Sequence, residues 1–155
     1  MAIRTGDTAP AFSLPAKPGE IVDVGLTIGR DVVVLVFFPL AFSSVCTAEM
    51  KIMAESWDRW RGLGARVFGI SVDSPFVTDR FRQVENIPFP ILSDFNREVS
   101  SLYGVLYEDF FGLKGVAKRS VFVIDRTGTV VYDWVTDDAD VEPSYDDVEA
   151  AVRAA

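Results

Sequence analysis

At 155 residues, with 49% hydrophobic and 25% charged side chains, the chain has the composition of one domain spanning 1–155 with a full core, which excludes a disordered or fibrous protein. The 15 basic and 23 acidic residues leave a formal charge of -8, which argues against a nucleic-acid footprint, since that needs a basic patch. The absence of histidine excludes Cys-His, Ser-His-Asp and His-bearing zinc sites, and a lone cysteine, Cys46, excludes an internal disulfide.

An extra strand or two is expected before Asp31. The run Asp31 to Phe38 is β-branched and aromatic without polar alternation, as in a central strand covered on both faces, and it stops at Pro39. Ser43 or Ser44 can cap the helix that follows, which runs through Trp60 until Gly62-Leu-Gly64 ends it. Its residues Cys46, Met50, Met53, Trp57 and Trp60 form one stripe, read as core packing or a subunit contact. A second buried strand covers Arg66–Val72, and Ser74-Pro75 opens a helix to about Asn86. Ile91 to Ser93 is a short extended piece, Asn96 to Tyr103 a short helix closed by Gly104, and Phe110 to Gly115 a loop. Ser120–Asp125 and Thr129–Val135 form an antiparallel hairpin, and a last amphipathic helix starts near Ser144. The order predicts a mixed α/β layered domain, with a site outside the carboxyl ends of its parallel strands, where Phe38 to Cys46 lies.

The acidity gathers in the tail, at Asp133, Asp137, Asp138, Asp140, Glu142, Asp146, Asp147 and Glu149. It reads as a solvated face that aids solubility, with a docking site as the alternative. The longest apolar stretch, Val32 to Phe42, is too short to span a bilayer, and no positive-then-apolar leader pattern is seen, so a soluble cytoplasmic protein without membrane contact is expected.

Cys46 carries the chemistry. At a helix start the unpaired N–H groups and the macrodipole favour a thiolate. Without an imidazole its activation must come from backbone dipoles, a hydroxyl and a permanent cation, which suits the redox chemistry of sulfur. No cofactor or metal site is expected.

Pro39-x-x-x-Ser43-x-x-Cys46, directly after a buried strand and opening a helix, resembles the active-site signature of the peroxiredoxins, thioredoxin-fold enzymes that reduce hydroperoxides with a cysteine thiolate. The resemblance runs from Gly6-Asp-Thr-Ala-Pro-Ala-Phe12 to the final helix and includes Lys118-Arg119-Ser-Val-Phe-Val-Ile-Asp125. It implies a thioredoxin-like α/β fold with a central mixed sheet flanked by helices. It also implies that Cys46 attacks the O–O bond, that Ser43 and Arg119 bind the peroxide and that Pro39 shields the thiolate. Lys118 is the rival cation to Arg119, Ser43 could be a plain cap, and Glu49 could lock Arg119, cap the first turn or merely face solvent. Family members with a resolving cysteine five residues down the helix would carry it at Lys51, so the chain looks like a one-cysteine enzyme whose sulfenic acid needs an external thiol or a thioredoxin- or glutaredoxin-like reductant. The stretch Phe37-Phe-Pro-Leu-Ala-Phe42 most resembles the alkyl hydroperoxide reductase E-like group. Family members commonly pair as homodimers, and some assemble further, through surfaces like that suggested by Phe76, Tyr107, Phe110 and Phe111. A general thiol-disulfide oxidoreductase would need a Cys-x-x-Cys pair, which is absent, and a non-catalytic peroxide sensor or binding module is the reading from another class.

Overall fold

The computed structural model describes residues 2–155. Its elements are β1 (Ser13–Lys17), β2 (Glu20–Asp23), β3 (Val32–Phe37), α1 (Ser44–Gly62), β4 (Ala65–Ser71), α2 (Pro75–Val84), β5 (Ile91–Ser93), α3 (Glu98–Leu102), β6 (Ser120–Ile124), β7 (Val130–Val135) and α4 (Tyr145–Ala154). A five-stranded sheet has the order β5-β4-β3-β6-β7, with β3, β4 and β5 mutually parallel and β6 and β7 antiparallel to their neighbours. This is a mixed α/β architecture with helices flanking a central sheet, as expected of a thioredoxin-like fold.

The apolar run of β3 is explained by two cores. Val32, Val34 and Val36 face one cluster, with Met50, Met53 and Trp60 of α1 and Val148 and Val152 of α4. Val33, Leu35 and Phe37 face the other, with Val24, Val99 and Tyr103. A strand covered on both sides has no position for a polar residue. The stripe on α1 packs as expected, except that Trp57 is only partly buried and carries the Arg61 guanidinium over its ring at 4.4 Å.

The strands expected before Asp31 are β1 and β2, which pair with each other in a separate antiparallel ribbon. One element differs from the sequence reading. The helix expected over Asn96 to Tyr103 shortens to α3, because Arg97 takes a left-handed φ of 63° and Asp94 caps from upstream. The Asp94 carboxylate accepts from the Val99 and Ser100 N–H groups at 3.1 and 2.7 Å, in the place of preceding helical turns.

Candidate active site

The site is assembled where β3 ends and α1 begins. Pro39 is buried and has no N–H to extend the ladder, so the chain leaves the sheet there. The loop it enters is pinned by a residue that the sequence did not single out. The carboxylate of Asp73, just past β4, accepts from the Ala41 N–H and the Ser71 hydroxyl, each at 2.7 Å. Only its position beyond the carboxyl end of a parallel strand beside β3 hinted at this.

Ser43 is the N-cap, with an extended backbone at ψ 150°, and its carbonyl accepts from the Thr47 N–H at 2.9 Å. Its hydroxyl does not cap the helix and instead donates to the Leu40 carbonyl at 3.0 Å. Cys46 is therefore the third residue of α1, within the turn whose N–H groups have no intrahelical acceptor. Its thiol is buried.

Arg119 precedes β6, and antiparallel pairing sets Ser120 opposite Phe37, so register delivers the guanidinium to the carboxyl end of β3. The side chain is 1% exposed. Its Nη2 donates to Cys46 Sγ at 3.3 Å and to the Ala139 carbonyl at 2.8 Å. Nε also donates to Ala139, at 3.1 Å, and Nη1 donates to Glu49 Oε1 at 2.8 Å. A planar fork meets a carbonyl, a carboxylate and a thiol at once, which a lysine cannot do. Lys118 is engaged elsewhere, with its Nζ at 2.7 Å from Asp137.

Glu49, one turn after Cys46, is fully buried, and its Oε2 meets no hydrogen-bond partner among the described residues. Burial pushes its carboxyl up to about 7 despite the opposing pull of Arg119, with Glu142 adding to the rise. Burial works against the charge on Arg119, yet the Glu49 carboxyl and the Cys46 sulfur beside it hold the guanidinium above its usual range. The three side chains form one electrostatic unit in which a permanent cation sits between two groups able to carry negative charge.

Cys46, Arg119, Ser43, Pro39, Phe110 and Ala139 line a cavity of about 110 Å³. Glu49 is absent from its walls and reaches it only through Arg119. The loop aromatics separate. Phe110, which lines the thiol's pocket, contacts Tyr107 in a tilted pair and Phe111 edge-to-face, with ring centroids 4.9 Å apart in each, whereas Phe76 lines a different cavity, of about 400 Å³, that contains no nucleophilic thiol. The Lys51 side chain is an exposed partner of Glu85 at 3.4 Å. Among the described residues no group of three or more acidic, His or Cys side chains is arranged to hold a metal ion, and no helix is long and apolar enough to cross a membrane.

Comparison with known proteins agrees with the geometry. Residues 5–133 match the AhpC/TSA family. The chain is 34% identical over 145 residues to a chloroplastic 2-cysteine peroxiredoxin of Chattonella marina var. antiqua, covering 87% of this chain and 72% of that one. Peroxidoxin BcpB from Mycobacterium tuberculosis superposes with a TM-score of 0.85 at 29% identity, covering 98% of this chain and 97% of that one. A peroxiredoxin-like protein from Aquifex aeolicus gives 0.85 at 31% identity, covering 99% and 88%. A thiol held against a buried guanidinium at the start of α1, a mixed sheet of this order and a match over most of the sequence thus converge: the chain belongs to the AhpC/TSA family of peroxiredoxins.

Proposed function

We propose that the chain is a one-cysteine thiol peroxidase in which Cys46 is the peroxidatic nucleophile. The observation that carries this assignment is the Arg119 Nη2 donor 3.3 Å from Cys46 Sγ, in a small pocket at a helix start. The thiolate attacks the nearer peroxide oxygen, an S–O bond forms, the O–O bond breaks, and the departing alkoxide or hydroxide takes a proton from solvent. The products are a Cys46 sulfenic acid and an alcohol or water. Arg119 and the N–H groups of the first turn hold the oxygen on which charge develops. Ser43 retains lone pairs to accept the peroxide O–H, Pro39 keeps water from the sulfur, and Glu49 acts by orienting Arg119. The binding-module reading is not favoured, since a buried cation aimed at a thiol stabilises its anion and has no evident use in a passive scaffold.

With Lys51 where other members carry a resolving cysteine, the sulfenic acid is resolved by an external thiol or a redoxin, through a mixed disulfide. The residues 1–155 act as one thioredoxin-fold unit, in the cytoplasm, as a homodimer. The dimer reading is supported by exposed Phe42, Phe76 and Phe95, at 50%, 72% and 56%. Consumption of hydrogen peroxide and cumene hydroperoxide by the pre-reduced protein, with dithiothreitol as donor, tests the assignment. Cys46→Ser is expected to abolish turnover of both; full activity in that variant would overturn it.

A further inference from the structure

The pocket around Cys46 adjoins a second, larger space. The two share Phe110, Ala139 and Asp140, and the outer cavity is about 510 Å³ against about 110 Å³ for the inner one. A peroxide group fits the inner pocket. A thiol whose sulfur reaches Cys46 must leave the rest of its body outside, in that outer cleft.

The walls of the cleft are of two kinds. Phe110 and Phe111 form an aromatic side, with Phe111 turned out on a left-handed backbone of φ 51° and 91% exposed. The rest of the lining is rich in carboxylates: Asp109 beside the two rings, and Asp137, Asp138 and Asp140 from the segment after β7. Lys118 neutralises Asp137 at 2.7 Å, and no cation pairs with the other three among the described residues. Inside, Arg119 is already shared between Glu49 and the thiol. The mouth of the site therefore has a negative field with aromatic faces that favour a cation.

Building on the peroxidase reading, we propose that this cleft is the docking site of the reducing thiol and selects a small thiol that carries a positive charge. The small size follows from the cleft itself, which at about 510 Å³ takes the body of a small molecule. In the first step the thiol sulfur displaces hydroxide from the sulfenic acid, giving a Cys46 mixed disulfide and water. A second thiol then attacks that disulfide, releasing Cys46 as the thiolate and the oxidised donor as its disulfide. The electrons come from the two thiols and the oxidant is the peroxide already consumed.

The test uses Cys46 sulfenic acid formed with one equivalent of hydrogen peroxide and mixed with cysteamine, 2-mercaptoethanol or 3-mercaptopropionate at equal thiolate concentration. The cationic thiol is expected to react faster than the anionic one by on the order of tenfold at low salt. The ratio should fall to about two- to threefold in Asp138→Asn/Asp140→Asn and in high salt, with Glu55→Gln, a charge elsewhere on α1, leaving it unchanged. A cation-to-anion ratio unaffected by the aspartate pair or by salt, or resolution by a redoxin alone, overturns the proposal. A parallel arm follows mixed-disulfide formation on reduced Cys46 by cystamine and by 3,3′-dithiodipropionate, read by mass spectrometry and compared between wild type and the aspartate variant. If no sulfenic acid forms but this ratio shifts, the peroxidase reading fails and the cleft stands. If sulfenic acid forms and neither ratio shifts, the cleft fails and the peroxidase stands.

Discussion

Replacing Glu49 by Gln keeps an oxygen to accept from Arg119 and removes the charge that burial disfavours. Burial raises the Glu49 carboxyl from 4.5 to about 7, so between these pH values the folded protein holds a proton that the unfolded chain has released. Stability contributed by that proton is complete below the unfolded value and is lost as pH rises through the folded one. At about 1.4 kcal/mol per unit the full rise corresponds to roughly 3 kcal/mol, and the contact with Arg119 makes about 1–3 kcal/mol the range to expect. Urea unfolding of wild type and Glu49→Gln from pH 4 to 8 isolates the effect, since other titrating groups cancel in the difference. The variant should gain on the wild type progressively between about pH 4.5 and 7. With slopes of about 1–3 kcal/mol per molar urea, that is a relative midpoint shift on the order of 1 M. Parallel stability profiles would refute the reasoning. A difference of the opposite sign would show that Arg119 holds the carboxylate ionised.

Three further outcomes follow from the same geometry. Arg119→Met removes the donor to Cys46 and should slow sulfenic acid formation about 10²- to 10³-fold in stopped-flow mixing; Arg119→Lys should recover only part, since one ammonium cannot serve Cys46, Glu49 and Ala139 together. Ser43→Ala should raise the apparent peroxide concentration dependence and lower the oxidation rate about tenfold, whereas Ser43→Thr keeps the hydroxyl and should stay within a few-fold of wild type. Asp73→Ala strips the acceptor from the Ala41 N–H and should cost about 1–3 kcal/mol in urea unfolding while slowing oxidation, although Asp73 touches neither thiol nor guanidinium.

The sequence carried β3, β4 and β6 because a strand buried on both faces is an unbroken apolar run, and it carried α1 because a serine cap, an apolar stripe and a glycine stop agree. The ribbon of β1 and β2 was half legible. Strand character is local, but which neighbour a strand pairs with is decided by distant residues. Arg97 kept α3 short by a left-handed backbone that no residue type announces. At the site, Cys46, Ser43 and Pro39 lie in one contiguous stretch, and their proximity was visible. The choice between Lys118 and Arg119 rested on resemblance, although strand alternation alone sends adjacent side chains to opposite faces. Glu49 was left undecided because an exposed and a buried glutamate look alike in sequence; only the register of β6 against β3 puts Arg119 over it. The Ala139 carbonyl could not have been found, since any residue supplies one.

The central claim is that Cys46 is the atom oxidised by peroxide, and single-turnover stopped flow tests it most directly. Pre-reduced protein is mixed with hydrogen peroxide, tryptophan emission from Trp57 and Trp60 on α1 is followed, and the product is trapped with dimedone and mapped. The account predicts oxidation far faster than that of a free thiol, one adduct per chain at Cys46, and neither signal in Cys46→Ser. Oxidation no faster than a free thiol with both hydrogen peroxide and an organic hydroperoxide would contradict it.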